Sequence, residues 1–249
     1  MKIEKRWIFA FLLVSAVAFA GLFWPEKATD NLKTFNAVDT INYADVAWLL
    51  TASCLVLLMT PGLSFFYGGM VGKKNVISTM LKSFICLGVV SLLWVVVAFS
   101  MSFGSPIGPT INGTHYGIIG NPFEFAFFSH VAMNPHSSMA SSIPFILFAL
   151  FQMKFAVITP AIITGALAER IRFISFLLFI CLFTLCIYAP LCHMIWHPNG
   201  LLGSYFGVKD FAGGTVVHMS AGFAALAGVL VLGKRKNSEH IHTNIPYVL

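Results

Sequence analysis

The sequence predicts an all-α integral membrane protein built around a unit of five transmembrane helices. Three observations carry that prediction. First, 58% of the 249 residues are hydrophobic and only 10% are charged, where a soluble domain carries about 25% charged residues. Second, apolar runs of about 20 residues recur along the chain, the length an α-helix needs to cross hydrocarbon. Barrel strands need only about half that length, so helices are the spanning element. Third, most lysines and arginines sit in short clusters between the apolar runs, as membrane topology requires. The same placement rejects a nucleic-acid reading of the net charge of +6, because no basic stripe interleaves with aromatics on a polar surface.

The elements follow in order. Residues 1–20, "MKIEKRWIFAFLLVSAVAFA", combine a basic start (Lys2, Lys5, Arg6), an apolar run and the small-residue end Ala18-Phe19-Ala20. That is the pattern of a secretory signal peptide, with an uncleaved extra span as the alternative. Residues 21–44 form a polar segment expected outside. The five-span unit occupies 45–233. Its spans are expected at about Ala47–Met70, Val76–Phe103, Ile143–Ala168, Phe173–Trp196 and Phe211–Gly233. Asp45 is the expected N-cap of the first, and Pro61 an expected kink within it. Residues 234–249 are a cytoplasmic tail, or the start of a sixth span that the chain does not contain.

Counting charges orients the unit. The connections after spans one, three and five hold Lys73, Lys74, Lys82, Arg170, Arg172, Lys234, Arg235 and Lys236. The long connection 104–142 holds no Lys or Arg, and the one after span four holds only Lys209. The positive-inside rule then puts the mature N-terminus outside the cell membrane and the C-terminus in the cytoplasm.

Few polar groups interrupt the spans. His218 lies inside span five, about 12 Å along the axis from Asp210 if both belong to one helix. The eight-residue offset brings them within about 80° of one face. An ionisable group in a span faces the bundle interior or a pathway more readily than lipid, although a purely structural histidine is the alternative. Asp210 also reads as a cap. The small residues of span five, among them Gly214, Ser220, Ala221, Ala225 and Gly228, place that helix centrally in the bundle. In span three, Phe151 and Phe155 share a face, and Lys154 is expected to reach toward the outer surface. Trp196 is either an interfacial tryptophan or a cation–π platform near Asp210. His193 and His197 share a helix face, but a zinc site needs three or four ligands, so no metal or other cofactor is expected. The five cysteines read as small buried hydrophobes rather than a disulfide framework.

Four segments carry a family resemblance: "PGLSFFYGGMVGKKNV" (Pro61–Val76), "FQMKFAVITPAIITGALAERIRF" (Phe151–Phe173), "HMIW" (His193–Trp196) and "DFAGGTVVHMSAG" (Asp210–Gly222). On these the chain resembles the ammonium transporters of the Amt/Mep/Rh type, over about Ala44 to Leu249. The resemblance implies the first of two inverted five-helix repeats of an eleven-helix fold, assembled as a homotrimer. It implies a transporter rather than an enzyme, with ammonium or ammonia as substrate and membrane lipid as surroundings. By motif position Trp196, with Phe151 and Asp210, resembles the outer recruitment site. Phe155 resembles a gate phenylalanine, and His218 the first of twin pore histidines. A nitrogen-regulatory PII-type protein on the cytoplasmic face becomes plausible.

The resemblance stops after five spans. The second histidine, the other gate phenylalanine and part of the recruitment cage belong to a second repeat in the family. These residues are therefore expected to be an N-terminal half that does not transport alone. The rival readings are a non-conducting sensory or structural membrane protein that kept the fold, a truncated gene product, and, more remotely, a membrane metalloenzyme.

Overall fold

Five helices long and apolar enough to cross a membrane follow one another: α1 (Tyr43–Gly69), α2 (Lys73–Phe103), α3 (Phe145–Leu167), α4 (Phe173–Trp196) and α5 (Gly214–Leu232). A short turn, α6 (Ile245–Val248), follows. The structure is a computed structural model that describes residues 41–235 and 244–248, with positions 12 and 16. The chain divides into units Met1–Val38 and Asp39–Leu249, and the second carries everything below. Apart from those two positions, the expected leader at 1–20 and residues 21–40 of the polar segment lie outside the described residues.

The first helix starts earlier than expected. Asn42, not Asp45, is its N-cap: Asn42 is extended, and its Oδ1 accepts from the Ala44 N–H at 2.9 Å and the Asp45 N–H at 3.3 Å. Asp45 falls in the first turn instead, where its carboxylate still complements the helix dipole. Both are good cap types, so composition alone could not choose between them. The helix continues through Pro61 to Gly69.

The second and fourth helices match their expected spans, and each contains a π turn, at Trp94–Ala98 and Thr184–Tyr188. An extra residue in a turn shifts the faces of the two half-helices against each other. Trp94 and Tyr188 meet there at 6.3 Å between ring centroids, both fully buried. The Trp94 indole N–H donates to the Ala149 carbonyl at 3.0 Å, tying α2 to α3. Around it Phe99, Phe103, Phe125, Phe145 and Phe148 form a continuous set of aromatic contacts. The most enclosed span is α3: half of its apolar stretch is buried, against 11% for α1.

The fifth helix departs most from expectation. Its first residue is Gly214, not Phe211, because Gly213 takes a left-handed conformation (φ 71°) that ends the preceding loop. Nor is it central within the described residues. It packs on α3, where a Cβ on Gly228 would come 2.7 Å from Leu167. Elsewhere Phe223, Leu230 and Val231 are exposed. Small residues thus permit one close contact without enclosing the helix.

The connection between α2 and α3 forms two antiparallel ribbons. β1 (Pro106–Ile107) pairs with β4 (Ile119–Gly120), and β2 (Thr110–Ile111) with β3 (Thr114–His115). The tight turn of the second is Asn112-Gly113, both at positive φ, the pattern an Asn-Gly hairpin requires. Gly117 stitches this connection to the chain beyond α4, donating to Asn199 O and accepting from Leu201 N–H. We call this the ribbon end of the bundle and the opposite one the basic end. At the basic end α6 docks on α1: the Asn244 N–H donates to Gly69 O at 2.9 Å, and Tyr247 meets Phe65 edge-on.

Candidate functional site

The topology brings the N-terminus of α3, the C-terminus of α4 and the N-terminus of α5 to the ribbon end. One turn separates Phe151 from Phe155, and their rings meet edge-on at 5.0 Å. Phe155 in turn meets Trp196, the last residue of α4, at 6.1 Å and 77°. All three side chains are half-buried. They form a partly open aromatic chain, with π faces available to a cation near the ribbon end and a phenylalanine one step deeper. Thr159 Oγ donates to the Phe155 carbonyl, holding the turn just before Pro160. Lys154 Nζ donates back to Leu150 O at 2.8 Å, so this lysine does reach toward the ribbon end. The Gln152 side-chain oxygen is buried with no protein partner among the described residues.

Asp210 does not adjoin the helix it serves. Residues 210–213 are non-helical, so the axial and angular relation expected between Asp210 and His218 does not apply. Instead the carboxylate reaches forward: Oδ2 accepts from the Thr215 N–H at 3.2 Å and the Val216 N–H at 3.0 Å. These are among the orphan donors of a helix start. Oδ1 is buried without a partner among the described residues, as is the Tyr188 hydroxyl of α4.

The segment that Asp210 holds is a π turn, Gly214–Met219, and it contains His218. The Val217 and His218 N–H groups both donate to Gly213 O at 2.9 Å. One carbonyl thus serves two successive donors, and the extra residue sets the direction of the His218 side chain. The imidazole is exposed on the described surface rather than enclosed by the five helices. Among the described residues no aromatic contact joins it to Phe155 or Trp196. The structure therefore unites Phe151, Phe155 and Trp196, and it ties Asp210 to the His218 turn. Among the described residues no aromatic contact or hydrogen bond joins these two groups.

A second cluster lies beside Trp196. His193 and His197 stack at 4.4 Å and 17°. His193 Nδ1 bonds the Ser102 carbonyl at 3.0 Å, while His197 Nδ1 accepts from the Asn199 N–H. Burial pushes the His197 pKa down to about 4, with nearby Glu124 acting in the opposite sense and His136 adding to the depression. Burial also lowers His136, against the pull of Glu124. Neutral imidazoles suit a site built to attract a cation, since they do not repel it.

Sequence reasoning missed two anchors. Trp94 carries the central indole hydrogen bond, yet reads in sequence as one more apolar residue. Glu169 collects three partners from two segments at the basic end, although nothing local marks it beyond an acid among arginines.

The Ammonium Transporter Family profile matches residues 47–248. The chain belongs to the ammonium transporter family. It is 44% identical over 193 residues to an ammonium transporter of Bacillus subtilis, covering 78% of this chain and 45% of that relative. The crystal structure of Saccharomyces cerevisiae Mep2 superposes with a TM-score of 0.74 at 30% identity, covering 86% of this chain and 47% of Mep2. A solved structure described as a sensor Amt protein matches with a TM-score of 0.69 at 30% identity, over 81% of this chain and 49% of that one. The chain thus spans about half the length of the relatives it matches, and its five helices are a half-length unit of the ammonium transporter fold. It is a multi-pass membrane protein.

Proposed function

We propose that these five helices supply the outer recruitment site and one wall of the pore of an ammonium-transporting channel. The observation that carries this reading is the aromatic chain Phe151–Phe155–Trp196 at the same end of the bundle as the Asp210-held turn bearing His218. Moving a bare ammonium ion into an apolar medium costs on the order of 20 kcal/mol in the ideal limit. Aromatic faces return about 0.5–2 kcal/mol per contact to the ion at the mouth. Beyond them a narrow apolar path favours the deprotonated species, because neutral ammonia sheds its hydration at far lower cost. In this reading Trp196 and Phe151 catch the cation and Phe155 screens the path. Asp210 shapes the mouth, and His218 guides a neutral or proton-sharing guest by hydrogen bonding. Potassium, which has no proton to give up, is rejected.

The exposed face of His218 further implies that a second half-length unit completes the lumen and that these 249 residues alone do not transport. The ribbon end then faces outward and the basic end the cytoplasm, in accord with the lysine and arginine distribution. The site lies in the cell membrane, and the completed assembly is a homotrimer open to a PII-type regulator on its cytoplasmic face. A second reading, a sensor that keeps the fold, draws on the likeness to the sensor Amt protein. Co-expression with a matching second half separates the two. Uptake of methylammonium that is lost in Trp196→Ala and changed in selectivity by His218→Leu supports transport. Absence of uptake from a correctly assembled complex overturns it and favours the sensor.

A further inference from the structure

The basic end holds a cluster that the recruitment site does not use. Glu169 follows the last turn of α3 in a left-handed conformation (φ 63°), unusual for a residue with a side chain. That conformation turns its carboxylate into the bundle, where the side chain is only 11% exposed. Its two oxygens do different things. Oε1 accepts from the Gly72 N–H at 3.0 Å, in the connection after α1, and from Asn75 Nδ2 at 2.9 Å, in the first turn of α2. Oε2 faces Arg235 Nη1, just beyond α5, at 3.7 Å. Arg235 also reaches the Gly165 carbonyl at 3.4 Å, and it is 28% exposed.

The distances divide this junction into a fixed side and a loose side. The bonds to Gly72 and Asn75 are short and charge-assisted, which marks strong contacts. Both contacts of Arg235 are long and partly solvated, which marks weak ones. Beside them lies a cleft of about 180 Å³, lined by Phe66, Tyr67, Val71, Gly165 and Arg235 among others. Arg235 forms part of the cleft wall, so its position decides access. Other charged groups nearby are already engaged elsewhere: Arg170 donates to Gly233 O at 2.8 Å and Lys82 to Ile171 O at 3.0 Å.

We propose that Glu169 and Arg235 form a releasable latch: Glu169 stays bound to the α1 connection while Arg235 swings off it, freeing the end of α5 and opening the cleft between α1 and α3. The latch is independent of what passes through the membrane, so its test needs no transport. Val71, 5% exposed and lining the cleft, serves as reporter when changed to cysteine. The five native cysteines all lie within α1, α2 and α4. A membrane-impermeant maleimide applied to permeabilised vesicles therefore reads the reporter against a V71C-free control of the full 249-residue chain. Expected are slow labelling with the latch intact and a rate at least tenfold higher in Glu169→Gln or Arg235→Gln. The double variant should label no faster than the faster single one, because both break the same contact. Arg235→Lys, which keeps the charge, should stay within about threefold of the parent, and thermal midpoints confirm that each variant is folded. Unchanged labelling in folded Glu169→Gln, or single effects that multiply in the double variant, would falsify the latch.

Discussion

Removing the Asp210 carboxylate tests how the His218 turn is held. In Asp210→Ala the Thr215 and Val216 N–H groups lose their acceptor. Val216 is fully buried, so water cannot replace it. Loss of a helix cap costs about 0.5–2 kcal/mol, and a buried donor left without a partner costs about 1–3 kcal/mol. The two terms overlap, because they concern the same bonds, and together indicate about 2–3 kcal/mol. Asp210→Asn keeps an amide oxygen able to accept but loses the charge that favours a helix N-terminus, worth about 0.3–1 kcal/mol. The predicted order is therefore wild type, then Asn, then Ala. Hydrogen–deuterium exchange over residues 211–222 reads the local term directly. An opening free energy reduced by about 2–3 kcal/mol speeds exchange roughly 30- to 150-fold in Asp210→Ala, since 1.36 kcal/mol is tenfold. Gly72 and Asn75 lie at the basic end, opposite this turn, so peptides 66–78 should be unaffected. Exchange in 211–222 that is the same in wild type and Asp210→Ala refutes the capping role. Equal acceleration throughout the chain refutes its locality.

Three further outcomes are expected. Trp94→Ala empties a fully buried site and removes the indole bond to the Ala149 carbonyl, so it should destabilise by about 3–5 kcal/mol, measured by unfolding in detergent; Trp94→Phe should lose less. Gly165→Ala drives a Cβ into the Tyr67 ring, whose hydroxyl donates to Ile162 O; overpacking should cost about 1–3 kcal/mol in the same assay. His197 has an ordinary pKa of 6.5 that folding lowers to about 4, so the folded state favours its neutral form. Its contribution is complete above pH 6.5 and is lost as pH falls through the window to 4, at about 2–3 kcal/mol in total. Unfolding midpoints measured across that window should therefore fall in the parent and fall less in His197→Gln.

What the sequence made legible follows from the range of each interaction. Apolar length placed α2 and α4 within a few residues at both ends, because crossing hydrocarbon is a property of the segment itself. The helix-face argument paired Phe151 with Phe155, again a local relation. The start of α5 was misplaced because "KDFAGG" contains a cap residue, whereas its glycines decide where the helix begins. Gly213 at φ 71° lets Asp210 reach the donors from four residues outside. The π turns had no readable sequence signal, although one of them carries His218. Glu169 was invisible for the opposite reason: its partners Gly72, Asn75 and Arg235 lie 97, 94 and 66 positions away by subtraction of residue numbers. Only tertiary structure brings such distances together.

The exposure of His218 makes a demand on its surroundings. The described helices enclose α3 and leave α1 and α5 largely uncovered. For α1 this needs no explanation, because Trp48, Leu55 and Leu58 are at home against lipid. For α5 the face is mixed: Phe223, Leu230 and Val231 suit hydrocarbon, whereas an imidazole with two polar nitrogens does not. Within lipid such a ring must find a hydrogen-bonding partner or water, because hydrocarbon supplies neither. A purely structural histidine would have met that need inside its own bundle, as His193 does by bonding Ser102 O. His218 has no such bond among the described residues, and the π turn that Asp210 holds leaves its side chain exposed. On the proposed reading, that partner is a second protein surface or a water-filled lumen, because covering the ring with lipid alone leaves its chemistry unanswered.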